Sequence, residues 1–370
     1  MFDNLYIHVP FCRSKCGYCA FYSLPDTDEE LQDRYVAFLE RQMNDYSFVE
    51  SLQTIYFGGG TPSLLPPRLL ERLFLAVNAG FRMASDVEIT IECNPETIDR
   101  KKAALISAFA NRISMGVQSF DPALRQRLGR RADNTDIEQA LAMFNHYNAR
   151  RLSIDLIYAI PGQTLTAWLA ELQQAVDYGF RHISCYALTV EEGTVLAQES
   201  GIDVVDEELS AEMWWATGEL LHRNGLSRYE VSNYAAPGQE CRHNLNVWHG
   251  GSYLGLGPSA CSFDGSRRWT QPADLAEWLA HHPAETDLLP PENRAREIFV
   301  FGLRTAAGWR QADWTRLLPE IRNAMPWETL TSRPELPELV RQGLLEMTPG
   351  HIRPTETGMA FWDNLAQALL

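Results

Sequence analysis

Apolar and polar residues alternate along six short stretches in the first half of the chain, and between these stretches apolar positions recur at helical spacing. Alternation at period two reads as strand, and recurrence every three to four residues as amphipathic helix. The pattern predicts strands at residues 4–8, 54–58, 87–92, 112–118, 152–157 and 181–187, with helices at 29–49, 67–78, 97–109, 135–148 and 165–178. Strands and helices that take turns in this way build a parallel sheet. Six such units predict an α/β fold of the (β/α)6 partial-barrel type.

Parallel strands covered on both faces normally read as continuous apolar runs. These strands do not: Leu5, Ile7 and Val9 alternate with Asn4, Tyr6 and His8, and Ile55 and Phe57 with Thr54, Tyr56 and Gly58. Val87, Ile89 and Ile91 alternate with Glu88, Thr90 and Glu92, and Ile154 and Leu156 with Ser153 and Asp155. The apolar set is expected against the helices and the polar set toward the barrel interior. A closed eight-stranded barrel fills its interior with branched aliphatics, so a wet or ligand-filled lumen is expected here. An antiparallel sheet with one solvated face would alternate in the same way, but the long intervening helices count against it.

Length and charge narrow the class. A chain of 370 residues suits one large domain and a smaller one, predicted at 1–265 and 266–370. A formal charge of −16 argues against nucleic acid as a partner, because that footprint needs clustered Lys and Arg. The short basic run 125–131 is expected to flank an anionic ligand instead. No secretory segment precedes the first strand and no apolar stretch is long enough for a bilayer, so a cytoplasmic location is expected. Three of the seven cysteines cluster and four are scattered, which is not a disulfide framework.

The clustered cysteines are Cys12, Cys16 and Cys19, on the loop after the first strand. Thiolates are soft ligands for iron–sulfur clusters, zinc or copper, and three are one short of the four that usually complete a [4Fe–4S] cube. A zinc loop with a distant fourth ligand, or simply three buried thiols, would fit the spacing as well. In βα barrels ligands sit at the C-terminal strand ends, where this loop, Gly58-Gly59-Gly60-Thr61 and the strand-end residues Glu92, Gln118 and Asp155 all fall. Glycines let backbone groups approach a ligand, and a buried carboxylate needs a partner. A ribose diol is one such partner.

This constellation resembles the radical S-adenosylmethionine (SAM) enzymes of the oxygen-independent coproporphyrinogen III oxidase class. The residues that carry the resemblance are Tyr6-Ile-His-Val-Pro-Phe-Cys12-x3-Cys16-x2-Cys19, Phe57-Gly-Gly-Gly-Thr-Pro-Ser63, Ile91-Glu-Cys-Asn-Pro95, Ser114-Met-Gly-Val-Gln-Ser-Phe120 and Ile154-Asp-Leu-Ile-Tyr-Ala-Ile-Pro-Gly-Gln-Thr164. Within the class the chain is more similar to HemW-type haem chaperones than to true oxidases. Ala20-Phe21 follows the third cysteine where oxidases have Cys-x-Cys, and the cysteine loop starts at residue 12, leaving no room for the oxidases' N-terminal extension. The stretch His243-Asn244-Leu-Asn-Val247-Trp248 is similar to the chaperones' haem-associated His-Asn-x-x-Tyr-Trp, with Val247 in place of Tyr. Cys261 stands where chaperones typically carry His.

The resemblance implies a cytoplasmic haem chaperone that binds a [4Fe–4S] cluster, SAM and haem and delivers the haem to a membrane respiratory protein, with a flavodoxin or ferredoxin as electron donor. It implies Cys12, Cys16 and Cys19 as cluster ligands. It implies Tyr6, Tyr18, Gly59, Gly60, Thr61, Glu92, Gln118, Arg130, Asp155 and Ala187 around SAM, and His243 at haem. The alternative it implies is an oxidase-like enzyme that cleaves SAM to a 5′-deoxyadenosyl radical and acts on a porphyrin-type substrate.

Beyond Phe263 the sequence turns Trp-rich and Pro-punctuated. Helices are expected at 294–303, 336–342 and 356–369, with a hairpin around Pro349-Gly350, a winged-helix-like pattern. The segment is not basic enough for phosphate contacts, so a lid or interaction module over the barrel mouth is expected.

Overall fold

The computed structural model describes residues 2–46, 51–198 and 206–370. Its centre is a run of parallel strands in sequential order, β1 (Asn4–Val9), β2 (Leu52–Gly59), β3 (Met83–Cys93), β4 (Arg112–Gln118), β5 (Leu152–Tyr158) and β6 (His182–Ala187). They pair in parallel register, as in Leu5 with Ile55 and Asp155 with Ser184. The sheet does not close. Beside β6 it continues into the antiparallel strand β8 (Asn233–Ala235) and β7 (Ser227–Arg228). Beside β1 it continues through β9 (Tyr253–Leu256), β10 (Cys261–Phe263), β11 (Arg268–Thr270) and β12 (Glu285–Asp287). This is the partial-barrel architecture expected from the alternation, widened at both edges, and the sheet runs on past residue 265.

The helices connecting the central strands are α1 (Glu29–Asn44), α2 (Pro67–Gly80), α3 (Arg100–Phe109), α4 (Pro122–Arg127), α5 (Asn134–His146) and α6 (Leu165–Asp177). Helix α1 ends earlier than the expected 49, and residues 47–50 lie outside those described. Helix α3 starts three residues later than the apolar pattern suggested. Pro95–Thr97 forms a 3-10 turn, and the Asp99 carboxylate then caps the helix by accepting the Lys102 amide. After β6 come α7 (Val195–Gln198), α8 (Glu207–Arg223) and α9 (Arg242–Trp248).

The apolar strand residues lie against the helices. Leu5, Ile7, Ile55, Phe57, Ile91, Ile154 and Leu156 are fully buried in one core that also takes in Leu73, Ile106, Phe144 and Trp168. A second core around Phe299, Trp309, Trp314, Ile352 and Leu365 belongs to the C-terminal part. There α10 (Leu275–Leu279) and α11 (Pro291–Gly302) are followed by short helices and a three-stranded sheet whose hairpin pairs Leu345–Thr348 with His351–Pro354. The helix expected at 356–369 is two helices broken at Phe361.

Candidate functional site

The inward-facing polar residues divide into two ends. At the N-terminal end they are spent on one another and on the segment 229–249. Thr54 Oγ1 donates to Asn4 Oδ1 at 2.7 Å, Arg112 donates to the Gln239 carbonyl at 2.9 Å, and His182 Nε2 meets the Tyr229 hydroxyl at 2.8 Å. His243, on α9, belongs to this plug. Its Nδ1 contacts Thr54 Oγ1 at 2.7 Å, its backbone amide donates to Glu88 Oε1 at 3.1 Å, and its ring packs on Tyr56. Burial holds its pKa down at about 3, so it is a neutral side chain inside the fold. The structure thus places His243, expected at haem, inside this plug and not among the residues that line the cavity at the other end. Cys261, on β10, faces the Tyr253 hydroxyl at 3.7 Å and is equally remote.

At the C-terminal end the strands open into a cavity of about 550 Å³, lined by Cys12, Cys16, Tyr18 and Cys19, by Gly59, Gly60 and Thr61, and by Glu92, Gln118, Arg130, Asp155 and Ala187. Every expected cluster and SAM residue except Tyr6 is brought together here. Tyr6 sits one inward-facing step lower on β1, where its hydroxyl contacts His8 Nδ1 at 3.1 Å. It does not line the cavity itself.

The cysteine loop is pinned from several sides. The Cys12 amide donates to the Leu24 carbonyl at 2.8 Å, Gly17 to Leu128 at 3.1 Å, and Leu196 to Gly17 at 2.8 Å. His8 Nε2 lies 3.0 Å from the Tyr22 carbonyl. With Nε2 protonated the ring donates to Tyr22 and accepts from Tyr6, and burial lowers its pKa to about 4, which keeps it neutral. Gly59 has φ +107°, and a Cβ there would lie 2.5 Å from the His8 ring. Only glycine lets β2 turn over that imidazole. At Gly60 a Cβ would strike the Pro10 and Phe11 backbone at 2.8 Å, so the glycine turn and the cysteine loop pack backbone to backbone.

The electrostatics are unusual for a cavity wall. Tyr56 donates to Glu92 Oε1 at 2.8 Å and the Gly59 amide to Oε2 at 3.2 Å, yet burial, with Asp155 nearby, raises the Glu92 pKa to about 7. Asp155 is also raised by burial, against hydrogen bonds from Ser184 and Ser114. Two carboxylates facing one cavity favour a cationic or hydroxyl-bearing guest. Opposite them Arg130 donates to Asn94 Oδ1 at 3.0 Å and to the Gly116 carbonyl, and its Nη1 lies 3.7 Å from Cys16 Sγ. In the basic run, Arg125 turns inward to the Ser119 and Ala132 carbonyls, while Arg130 and Arg131 line the cavity. Gln118 adopts φ 71°, where the β4–β5 register shifts, and that strained residue is turned toward the cavity.

Burial pushes the Cys12 and Cys19 thiols up, so metal binding would displace their protons. Among the described residues no three His, Cys, Asp or Glu side chains converge on a single-ion site. Cys12, Cys16 and Cys19 all line the cavity, and thiolates suit soft metals and iron–sulfur clusters rather than hard cations. Asn94, which donates to Thr61 Oγ1 at 3.1 Å and accepts from Arg130, was not singled out from the sequence, nor was Tyr56 beneath Glu92. Both stand in stretches already marked, one after Glu92 and one on the inner face of β2.

The sequence profile of the Radical SAM superfamily matches residues 6–175. A Synechocystis protein named "Heme chaperone HemW" is 36% identical over 88% of this chain and 84% of its own length. The Escherichia coli protein of the same name is 30% identical over 99% and 98%. A bovine protein named "Radical S-adenosyl methionine domain-containing protein 1, mitochondrial" is 32% identical over 99% and 87%. In structure, the radical SAM enzyme coproporphyrinogen III oxidase from Escherichia coli superposes with a TM-score of 0.84, covering 99% of this chain and 89% of that one, at 20% identity.

Proposed function

Because the chain belongs to the radical SAM superfamily and, within it, to the HemW haem-chaperone family, we propose that it binds a [4Fe–4S] cluster, SAM and haem and hands the haem to an acceptor protein. The observation that carries the reading is the convergence of Cys12, Cys16, Cys19, Gly59, Thr61, Glu92, Arg130 and Asp155 on one cavity at the strand ends. Cys12, Cys16 and Cys19 would hold three irons of the cluster and leave the fourth to the cavity. When bound, the cluster and SAM together supply one-electron chemistry at the sulfonium.

The remaining work falls to the protein's own groups. The Gly59–Thr61 turn offers backbone polar groups to the methionine end of SAM. Glu92 and Asp155 accept hydrogen bonds from its ammonium or ribose hydroxyls. Tyr18 and Ala187 close the sides, and Arg130 ties the cysteine loop to β4. No described helix is long and apolar enough to cross a membrane. Delivery to a membrane respiratory protein would therefore proceed by docking, for which residues 266–370 are the proposed interaction module. A flavodoxin or ferredoxin is the proposed electron donor.

The test is anaerobic reconstitution, followed by iron and sulfide analysis, a Soret titration with haem, and an assay of SAM cleavage. Stoichiometric cluster and haem with little SAM turnover supports the chaperone. Rapid SAM cleavage that depends on coproporphyrinogen makes the protein an oxidase instead. A single Cys→Ser change at 12, 16 or 19 is expected to abolish stoichiometric iron and sulfide.

A further inference from the structure

A second cleft, of about 580 Å³, adjoins the cluster cavity. Tyr186, Ala187 and Thr189, at and just beyond the end of β6, line both. Its far walls are Trp214 and Trp215 on α8 and the broken C-terminal helix, which brings Phe361 and Trp362 to the cleft at the break. Trp215 and Phe361 are 40% and 53% exposed, a large amount of aromatic surface to leave in water. Glu207 and Asp363 also reach the cleft, and Arg304 is the one cation among the described residues that line it.

Arg304 is held in an uncommon way. Its guanidinium lies between two indoles, 4.6 Å from the Trp248 ring and 4.8 Å from the Trp362 ring. Behind it, Glu230 Oε2 stands 3.6 Å from Nε. The other Glu230 oxygen, Oε1, accepts from the Ser232 amide at 2.9 Å and from Asn233, so Glu230 pairs with Arg304 through Oε2 on the Nε side alone. No hydrogen bond from the terminal nitrogens of Arg304 is found among the described residues, and the side chain borders the cleft. A guanidinium packed on two indoles, with its terminal nitrogens unspent, is prepared for a carboxylate. Exposed aromatic faces beside it are prepared for a flat π-system.

We propose that this cleft is the haem seat, with the macrocycle against Trp215 and Phe361 and one propionate on Arg304. The assignment rests on the haem-chaperone reading above and locates its cargo next to the cluster cavity, away from His243. Trp248 then contributes as the back wall of Arg304 rather than through the neighbouring histidine.

The test uses the reconstituted full chain. Haem and its dimethyl ester, which lacks the carboxylates, are titrated by Soret absorbance and by quenching of tryptophan fluorescence. The proposal expects Arg304→Gln to weaken haem about tenfold or more, the scale of one charged hydrogen bond, and to leave the ester unaffected. It expects Trp215→Ala and Phe361→Ala, both at exposed positions, to weaken both ligands. Wild-type protein itself should bind the ester at least several-fold more weakly than haem, a comparison that needs no variant to fold. If wild type shows no Soret shift, the chaperone reading fails and the assignment fails with it. If wild type binds haem and all three variants bind it equally well, the cleft assignment is overturned while the reading stands.

Discussion

The guanidinium of Arg130 lies 3.7 Å from the Cys16 sulfur while its other nitrogen donates to the Gly116 carbonyl and to Asn94. One side chain thus joins the middle cysteine of the loop to the end of β4 and, through Asn94, to Thr61 and the glycine turn. The cysteine loop itself contains little regular structure, so its geometry depends on such ties. Arg130→Gln removes the cation and leaves a buried carbonyl without its donor, a cost of about 1–3 kcal/mol. We expect a lower Tm and several-fold faster loss of iron to a chelator, read as decay of the cluster's visible absorbance. Arg130→Lys should recover little, because an ammonium cannot span the three acceptors.

Gly59→Ala meets two penalties at once, the positive φ and the His8 ring. Together they amount to about 2–4 kcal/mol. Equilibrium dialysis should show SAM binding lost, with a depressed Tm. Adding His8→Ala removes the clash but not the φ strain, so the double variant should recover part of the stability. Equal stability of Gly59→Ala and wild type would contradict this account of the turn.

Glu92 makes stability depend on pH. Its carboxyl titrates near pH 7 in the fold and near 4.5 when unfolded. Between those values the unfolded chain has released the proton that the folded protein keeps, so stability falls as pH rises, and the full cost is present above pH 7. Glu92→Gln removes this term. Urea unfolding at pH 5, 6, 7 and 8 should show wild type losing ground to the variant by about 2 kcal/mol over that window. A constant difference across the series would mean that Glu92 does not titrate there.

His243→Ala should behave as a core mutation. It opens a cavity beside Tyr56 and removes one of the two hydrogen bonds of Thr54 Oγ1, leaving the one to Asn4, at a cost of about 2–4 kcal/mol. Per folded molecule, the Soret titration should be unchanged. A selective loss of haem affinity at full stability would return His243 to the binding site.

Much of the cavity is legible in the sequence. Glu92, Gln118 and Asp155 were recognisable because strand alternation assigns faces, and the parallel βα order assigns their common end. Depth along a strand was harder. Tyr6 and His8 share a face and a motif, yet it is His8 that lies under the glycine turn, with Tyr6 one step lower in contact with it. His243 shows the same difficulty over a longer range. Its neighbours in sequence suggest chemistry, but α9 carries it to the opposite end of the lumen from the cysteines. The roles of Asn94 and Tyr56 are not legible in the sequence, because they lie in whom these residues bond and not in residue type.

By itself the sequence determined the βα order, the two faces of each strand, the soft-metal loop and the family. All of these follow from local periodicity or short spacing, since side-chain direction in a strand and reach within a loop are set by neighbouring residues. The tertiary structure alone decided where the lumen is plugged and where it is open, that the sheet extends past both ends of the barrel strands, and that Arg304 lies between Trp248 and Trp362. Those contacts join residues 56 and 58 positions apart along the chain, closed by packing of α11 against α9 and against the last helix. No local pattern encodes such closures, because each depends on how the whole core chooses to fill its space.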